Sequence, residues 1–400
     1  MTVAERYADY MHRLVQRVVS EIGPRESCGY GEKQLGQLLV KEWEPLCDGV
    51  ATEPFACHPR AFLGFLPAYA LLYLAAVACY WLFPLLSSLL AGLAFATFVL
   101  ELMLYREFAD PLFPREQGEN IVGVIRPRGD VKRRVIVSAH TDSAYEFTLW
   151  YFLKNASVPI IVLGVLASLF LCVAAGAKTL AGGGFATFLT AGVIAAALYP
   201  VVGLFLFWHT YTPVPGAMDD MAGVAVVAGL ARYLSDCKQG DGFFPEGTEV
   251  VLIGMGAEEA GLRGAKRYVK AHREELERIP SYGLFVDGVY DEKHLSVVNR
   301  ELFIGAKHSP RLVELAKRAA AHRGRTIKVT MVPGGATDAA AFTLAGVPST
   351  CILCQDTSKL VPHYHTRLDT AEKVRPESLS VTLQLIIDMI QRIDESEEPE

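Results

Sequence analysis

The sequence predicts a three-layer α/β domain that is interrupted by two inserted pairs of apolar helices. Short apolar stretches alternate with helical patterns at the start of the chain and throughout its second half, which is typical of a sheet covered by helices on both faces. Asp, Glu, Lys and Arg are absent from residues 61–100, 155–177 and 179–218, although they are frequent elsewhere. The chain therefore combines a polar globular part with strongly apolar insertions.

The charge-free stretches are long enough to cross a lipid bilayer, which requires about 20 apolar helical residues. The first region fits two spans, over 61–82 and 84–104, and the second fits two more, over 157–177 and 185–208. The alternative is that these segments are buried core helices of a soluble protein. The length of the charge-free runs favours four membrane spans, so the chain is expected to be a multi-pass membrane protein.

The predicted organisation is one α/β domain that is assembled from three separate segments of the chain. The expected segments are 1–57, 58–118 (first hairpin), 119–146, 147–213 (second hairpin), 214–393 and a disordered acidic tail at 394–400. Because each hairpin returns the chain to its starting side, all polar segments share one face of the membrane. Arg60, Arg106 and Lys154 flank the spans on that side, and Lys178 lies opposite, so the positive-inside rule places the domain in the cytoplasm.

Periodicity predicts the individual elements of the α/β domain. Helices are expected over 4–22, 31–44, from 222 onward, and over 262–276, 309–323 and 372–393. Strands are expected at 50–57, 120–125, 134–139, 249–253, 282–286, 295–299, 326–331 and 348–353. If the first three strands form an antiparallel meander, the first and the third run parallel and end at the same edge of the sheet.

Charge and cysteine content exclude some classes of function. The formal net charge is −6, so the chain has no basic field, and we expect no nucleic-acid partner. The eight cysteines show no spacing typical of a disulfide framework, as expected in a reducing compartment. Cys351 and Cys354 form a C-x-x-C pair inside a predicted strand, where alternation points the two thiols to opposite faces. The oligomeric state stays open.

Five short clusters of acidic residues and histidines follow one another along the polar segments. They are His140 with Asp142 in S-A-H-T-D-S, Asp219 with Asp220 in G-A-M-D-D-M-A-G, Glu258 with Glu259 in G-A-E-E-A-G-L-R-G, Asp287 in L-F-V-D-G and His365 in H-Y-H-T-R-L-D-T. The first and third clusters follow apolar strands at their carboxyl ends, where α/β sheets bind ligands. Gathering acids there without a counter-cation would be costly. Two divalent metals would neutralise them, and histidine and carboxylate ligands suit zinc, with cobalt or manganese left open.

The ordered set of clusters resembles the co-catalytic di-zinc aminopeptidase superfamily, which also holds glutamate-carboxypeptidase-like and glutaminyl-cyclase-like members. The stretch I-G-P-R-E-S-C-G-Y-G-E-K-Q at residues 22–34 is similar to the N-terminal pattern of that superfamily. The resemblance covers about 1–57 and 119–393 and leaves out the spans. It implies a zinc-exopeptidase domain with a mixed β-sheet, two Zn²⁺ ions per chain and peptide substrates.

The resemblance also implies a role for each site residue. His140 and Asp287 would bind one zinc, Glu259 and His365 would bind the other, and Asp219 would bridge both. Glu258 would be the general base for a water activated by the two metals. Asp142 would accept the imidazole N–H of His140 and fix which ring nitrogen faces the metal.

Some positions depart from the pattern of the superfamily. Asp220 and Ala222 stand where relatives often carry asparagine and serine. Asp338 lies in a stretch that resembles a late loop near the substrate, but Ala339 replaces a histidine that some members keep. Asp338 is therefore not counted as catalytic, and His363 is interpreted as a neighbour of the site rather than a ligand.

The function that follows is a membrane-integral, zinc-dependent exopeptidase, with an aminopeptidase favoured over a carboxypeptidase. Two alternatives stay open: a glutaminyl cyclase-like acyltransferase, and a catalytically inactive membrane receptor or scaffold. The complete ligand set and the E-E-A-G-L-R-G motif favour hydrolysis. Two explanations of the spans are also open, namely simple anchoring in the lipid bilayer and access to peptide substrates at the membrane surface.

Overall fold

The chain divides into two compact units in a computed structural model that describes residues 5–182 and 186–396. The α/β unit comprises Met1–Pro59, Arg115–Tyr145 and Thr212–Glu400, and the helical unit comprises Arg60–Pro114 and Glu146–Tyr211. The start of the fourth predicted span, at residue 185, and the end of the predicted acidic tail, from 397, lie outside the described residues.

Most predicted elements of the α/β unit are present within one to four residues of their expected ends. The strands are β1 Gly49–Cys57, β2 Glu116–Ile125, β3 Arg133–His140, β4 Thr248–Met255, β5 Ser281–Val289, β6 Leu295–Glu301, β7 Ala306–Lys307, β8 Lys328–Val332 and β9 Ser349–Cys354. The helices are α1 Glu5–Glu21, α2 Tyr30–Trp43, α3 Ala61–Cys79, α4 Pro84–Phe98, α5 Thr148–Leu153, α6 Ser157–Leu180, α7 Ala186–Ala197, α8 Tyr199–Gly203, α9 Ala222–Gln239, α10 Arg263–Ala271, α11 Arg273–Arg278, α12 Pro310–His322, α13 Asp338–Leu344 and α14 Pro376–Asp394.

The strands form one mixed sheet, as the resemblance implied. Its order is β1-β2-β4-β3-β5-β9-β6-β7, and β8 pairs with β6. The four central strands β4, β3, β5 and β9 are parallel, whereas β2 and β6 run antiparallel to the central strands that they contact. The carboxyl ends of the central strands therefore meet at one edge of the sheet, which is where such sheets bind ligands.

The first three strands do not form the meander that was considered, because β4 lies between β2 and β3. Strand β2 is antiparallel to both β1 and β4, and β4 is parallel to β3. It follows that β1 and β3 still run in the same direction. Both strands end at the edge of the sheet where His140, the last residue of β3, lies.

Helices cover both faces of the sheet, which confirms the three-layer architecture. One face packs against α1, α2, α9, α12 and α14, and Val137 of β3 belongs to that core. The other face packs against α10 and α13, and Ile136 belongs to that core. Cys354 lies in the first core and Cys351 in the second, so the two thiols point to opposite faces, as strand alternation predicted.

The helical unit contains four segments that are long and apolar enough to cross a membrane. They are Ala61–Cys79, Pro84–Met103, Thr148–Leu180 and Ala186–Phe207, with a mean hydropathy between 2.0 and 2.7. These segments match the number and order of the predicted spans. The third is longer than expected because helix begins at Thr148.

Small side chains share the helix contacts of this unit with buried aromatic ones such as Tyr69, Tyr73 and Phe205, and many large aliphatic side chains are exposed. The buried small residues include Ala91, Ala94, Gly164, Ala167, Gly192 and Ala195. The exposed apolar residues include Leu71, Leu85, Leu89, Val162, Val173 and Leu189. Small residues at helix contacts let backbones approach closely, and they are common in helix bundles that span membranes.

Gly192 tests this packing most directly. A Cβ atom at Gly192 would lie 2.5 Å from the Trp81 ring and 2.6 Å from the Tyr80 ring, whereas a Cβ atom at Gly203 would meet nothing within 4 Å. We expect Gly192→Ala to destabilise the unit by about 1–3 kcal/mol through overpacking. Gly203→Ala, the matched control, should leave the thermal unfolding midpoint in detergent unchanged or slightly raised. Equal midpoints for the two variants would contradict the described helix contact.

Candidate metal centre

The predicted site residues converge at the carboxyl edge of the central strands. His140 ends β3, Asp287 lies near the end of β5, and Glu258 and Glu259 follow β4 after a two-residue connection. The register pairs Ser138 of β3 with Phe285 of β5. His140 and Asp287 each lie two residues further on, so they occupy the same level and the same face of the sheet. The remaining two residues arrive from loops, Asp219 from the turn before α9 and His365 from the connection between β9 and α14.

Asp219 lies between the two histidines. Its Oδ1 atom is 3.0 Å from Nε2 of His140, and its Oδ2 atom is 3.1 Å from Nε2 of His365. The same nitrogen of His365 is 3.2 Å from Oε1 of Glu259. Potential ligand atoms of His140, Asp219 and Glu259 all lie within 4.8 Å of one another. Each carboxylate oxygen of Asp219 thus faces a different imidazole, which is the arrangement that a bridging carboxylate needs.

The electrostatics of this cluster show an excess of negative charge. Burial raises the pKa of Glu258 well above its usual value and also raises the pKa of Glu259. Burial, together with the charge of Asp219, raises the pKa of Asp287 to about 7. Burial also opposes ionisation of Asp219, but the hydrogen bonds with both histidines outweigh it and hold the pKa of Asp219 below its usual range.

In the two histidines, the nearby carboxylates outweigh the effect of burial on the pKa. Burial disfavours the imidazolium of His365, but Glu259 and Asp219 outweigh that effect and raise the pKa of His365 to about 10. The pKa of His140 is likewise raised, against the effect of burial, by Asp142 and Asp219. More carboxylates than imidazoles meet here out of water, and this set of oxygen and nitrogen donors without thiolates fits divalent cations such as zinc.

Asp142 connects the His140 ring to the glutamate loop. The Nδ1 atom of His140 is 3.2 Å from the backbone oxygen of Asp142 and 3.3 Å from its Oδ1 atom, which leaves Nε2 facing Asp219. The carboxylate of Asp142 also accepts from the backbone N–H of Glu258 at 3.1 Å and of Glu259 at 3.0 Å. Ser27 donates to it at 2.6 Å. One carboxylate therefore positions two parts of the cluster.

Asp369 positions Asp219 and was not identified from the sequence. It accepts from the backbone N–H of Met218 at 2.8 Å and of Asp219 at 3.2 Å. Burial raises the pKa of Asp369 to about 8. The signal for this role was present in H-Y-H-T-R-L-D-T, where Asp369 is the acid that follows His365.

The N-terminal stretch at residues 22–34 supplies a second group of supporting residues that the sequence did not assign. The guanidinium of Arg25 donates to the backbone oxygens of Thr141 at 2.9 Å, Pro215 at 2.9 Å and Gly216 at 2.7 Å. It thereby joins the loop after His140 to the loop before Asp219. Glu32 accepts from the backbone N–H of Ala257 at 2.7 Å, next to Glu258.

Replacing Arg25 should lower the stability of the α/β unit. Arg25→Met leaves four backbone carbonyl groups without this donor, those of Gly23, Thr141, Pro215 and Gly216, at a cost of about 3 kcal/mol or more. Arg17→Met is the control, because Arg17 is half-exposed and pairs with Glu21 on the surface of α1. Chemical unfolding followed by tryptophan fluorescence would check both. A loss of stability no larger for Arg25→Met than for Arg17→Met would show that these contacts are weak.

The neighbours of His365 differ in their relation to the site. His363 packs edge-on against the Tyr290 ring with centroids 4.8 Å apart, and burial lowers its pKa to about 4. Tyr364 stacks on the His365 ring at 4.0 Å. Burial and the nearby carboxylates, Asp219 foremost, raise the pKa of Tyr364 well above its usual value. Tyr364 therefore lies against the cluster, although no motif had singled it out.

Asp220 is accommodated inside the cluster as a structural acid. It is fully buried, its Oδ2 atom accepts from the backbone N–H of His140 at 3.3 Å, and its Oδ1 atom accepts from that of Gly223 at 3.1 Å. Burial raises its pKa well above the usual value. An acid in place of the expected asparagine therefore still connects the turn of Asp219 to β3.

Comparisons with known proteins agree with this geometry. The profile of Peptidase family M28 matches residues 202–390. Aminopeptidase YwaD of Bacillus subtilis (strain 168) is 30% identical over 177 residues, which cover 43% of this chain and 36% of that protein. The match thus spans about a third of the length of this curated relative.

Solved structures show the same fold at low sequence identity. BSAP, a zinc aminopeptidase from Bacillus subtilis, aligns with a TM-score of 0.58 and 17% identity and covers 98% of this chain and 96% of its own. The aminopeptidase from Aneurinibacillus sp. strain AM-1 aligns with a TM-score of 0.57 and 14% identity over 96% of this chain and 93% of its own. Fimbriiglobus ruber glutaminyl cyclase aligns with a TM-score of 0.54 and 16% identity, and the alignment covers 96% of this chain and 94% of its own. The sequence of this chain thus resembles peptidase family M28 over residues 202–390, just under half of its length, and the chain shares the fold of these solved structures.

Proposed function

We propose that the chain is a membrane-anchored, zinc-dependent aminopeptidase that removes residues from the N-terminus of peptides. The observation that carries this proposal is the position of Asp219, whose two carboxylate oxygens each face the Nε2 atom of a different histidine. A single carboxylate between two imidazoles, with further acids around it, is suited to hold two cations side by side.

The proposal keeps the two-metal assignment that the resemblance implied. His140 and Asp287 would hold one zinc, Glu259 and His365 would hold the other, and Asp219 would contact both. Bound zinc would supply Lewis acidity toward a peptide carbonyl and toward water.

Glu258 would act as the general base of the reaction. It is buried and lies next to Glu259, and its backbone N–H is fixed by Asp142 at 3.1 Å. A carboxylate that is held beside the metal ligands without being one of them can accept a proton from the attacking water and deliver it to the leaving amine.

Peptides with modified ends test the direction of cleavage. Purified, zinc-loaded protein would be incubated with matched peptides whose N-terminus is free or acetylated, whose C-terminus is free or amidated, or whose first residue is glutamine. We expect stepwise shortening of every peptide with a free N-terminus, whether or not its C-terminus is amidated, and no shortening of the acetylated one. Shortening from the C-terminus would contradict the proposal, as would release of ammonia from the glutamine peptide without shortening. Product masses decide between these outcomes.

The helical unit would anchor the enzyme in the bilayer through four spans. Its four apolar segments and its outward-facing leucines and valines support this. The positions of Arg60, Arg106 and Lys154 support a cytoplasmic α/β unit. Protease digestion of inverted and of right-side-out vesicles would test the sidedness. Degradation of the α/β unit only in right-side-out vesicles would contradict it. Comparing a soluble peptide with the same peptide tethered to liposomes would show whether substrates lie at the membrane.

A further inference from the structure

Asp338 is a buried carboxylate at the start of α13. Its residue is 4% exposed, and neither of its carboxylate oxygens has a partner within the part of the chain that the structure describes. The other buried acids around the cluster are satisfied differently, because Asp142, Asp220 and Asp369 each accept from two backbone N–H groups. An unsatisfied buried carboxylate is costly, so its presence requires a reason.

The backbone around Asp338 is held firmly by its neighbours. Glu301 accepts from the backbone N–H of Thr337 at 3.0 Å and from its hydroxyl at 2.6 Å. The same carboxylate pairs with Nε2 of His308 at 3.0 Å, and Nδ1 of His308 lies 2.8 Å from the hydroxyl of Thr343. Both ends of α13 are therefore fastened by one buried network. The network fixes Asp338 in place but leaves its carboxylate free to bind something else.

Asp338 lies on the side of the sheet where the metal centre is. Helix α13 packs on β5, and the ring of Phe342 lies 4.8 Å from that of Phe285, two residues before Asp287. Asp338 is the first residue of α13, and α13 packs on the strand that carries Asp287.

The kind of group that would bind Asp338 follows from the chemistry of a buried carboxylate. An ionised carboxylate only accepts hydrogen bonds, and its strongest partners are cationic donors. A peptide with a free N-terminus carries such a group next to its first peptide bond, namely the α-ammonium with three N–H donors. We propose that Asp338 binds the α-ammonium group of the substrate and thereby selects peptides with a free N-terminus. This inference rests on the proposed aminopeptidase function and names a specificity residue for it.

The wild-type protein provides the first test, which requires no variant. Its activity on leucine p-nitroanilide is compared with that on 4-methylpentanoyl p-nitroanilide, which lacks only the amino group. We expect kcat/KM to fall by about tenfold or more without the amine, as for loss of a hydrogen bond to a charged group. Equal hydrolysis of both compounds would overturn the inference and leave the peptidase function standing. Absence of hydrolysis of both compounds and of peptides would instead refute the proposed function on which the inference rests.

Asp338→Asn tests the residue itself, with Asp338→Glu and Asp130→Asn as comparisons. Asp130 is exposed in the turn before β3. We expect Asp338→Asn to raise KM for the leucine substrate about tenfold or more with a smaller change in kcat, because a contact to the bound amine is lost. Asp338→Glu should raise KM by a smaller factor, because it keeps a carboxylate, and Asp130→Asn should have the KM and kcat of the wild type.

Calorimetry with 3-methylbutan-1-amine and zinc-loaded protein gives a readout that does not depend on turnover. The amine should bind Asp338→Asn about tenfold or more weakly than wild type, at equal zinc content. Unchanged amine affinity and unchanged KM in Asp338→Asn would overturn the inference. If that variant does not fold, Asp338→Glu gives the same two readouts, and amine affinity and KM unchanged from wild type in it would overturn the inference.

Discussion

Glu258→Gln is expected to lower kcat by about 10²–10⁴-fold, the usual contribution of a general acid–base group. Glutamine preserves the size of the side chain and its place beside Glu259 but cannot accept the proton of the attacking water. Because Glu258 is not among the assigned metal ligands, the zinc content should stay unchanged. Initial rates on a leucine p-nitroanilide, measured together with elemental analysis of the same sample, check both statements.

The control for this variant is Glu274→Gln. Glu274 lies on the exposed surface of α11, away from the cluster, and should tolerate the change with wild-type kinetics. Two results would contradict the assignment of the base. One is full activity in Glu258→Gln, and the other is loss of zinc from it, which would make Glu258 a ligand instead.

Asp219→Ala is expected to abolish both metal binding and activity. Asp219 faces both histidines, so its removal deletes a contact from each proposed zinc site at once. His365→Ala should act on only one of them, because the pair of His140 and Asp287 is left intact. We therefore expect almost no zinc on Asp219→Ala and about one zinc ion per chain on His365→Ala, because the first variant removes a ligand from both sites and the second from one site.

These two variants serve as controls for each other, since both remove one proposed ligand from the same cluster. Circular dichroism would establish that each variant is folded before its metal content is read. Retention of wild-type zinc in Asp219→Ala would contradict the bridging role. Equal loss in the two variants would show that the sites do not fill independently.

Much of the α/β unit was predictable because its signals are local. A histidine at the end of an apolar strand and two glutamates just after another predicted a common edge, and the structure brings His140, Glu258 and Glu259 together there. Adjacent strands whose carboxyl ends meet at the same edge must run parallel, as β3 and β4 do. The four apolar segments were visible from length and charge alone, since few other structures require runs of that length.

The parts that could not be predicted depend on contacts between distant segments. The sequence does not show that β4 enters the sheet between β2 and β3, because strand pairing is decided by packing across the whole unit. The predicted helix at 262–276 is two helices that meet at His272, whose ring binds Glu53 of β1. The seven-residue helix α13 is too short for a periodic signal.

The supporting residues were missed for the same reason. Arg25 and Asp369 act through backbone groups of Pro215, Gly216, Met218 and Asp219, which are far from them in sequence. Their residue types indicate only that they are polar, and their burial appears once the loops are assembled. Asp338 was set aside because a neighbouring histidine was absent, yet its unsatisfied carboxylate is the feature that the structure adds.

The zinc content of the purified protein tests the central claim most directly. Elemental analysis, or native mass spectrometry in detergent, would count the metal ions on each folded chain after dialysis against trace zinc. The convergence of His140, Asp219, Glu259, Asp287 and His365 predicts about two zinc ions per chain. A peptidase-active sample that carries no transition metal would contradict it.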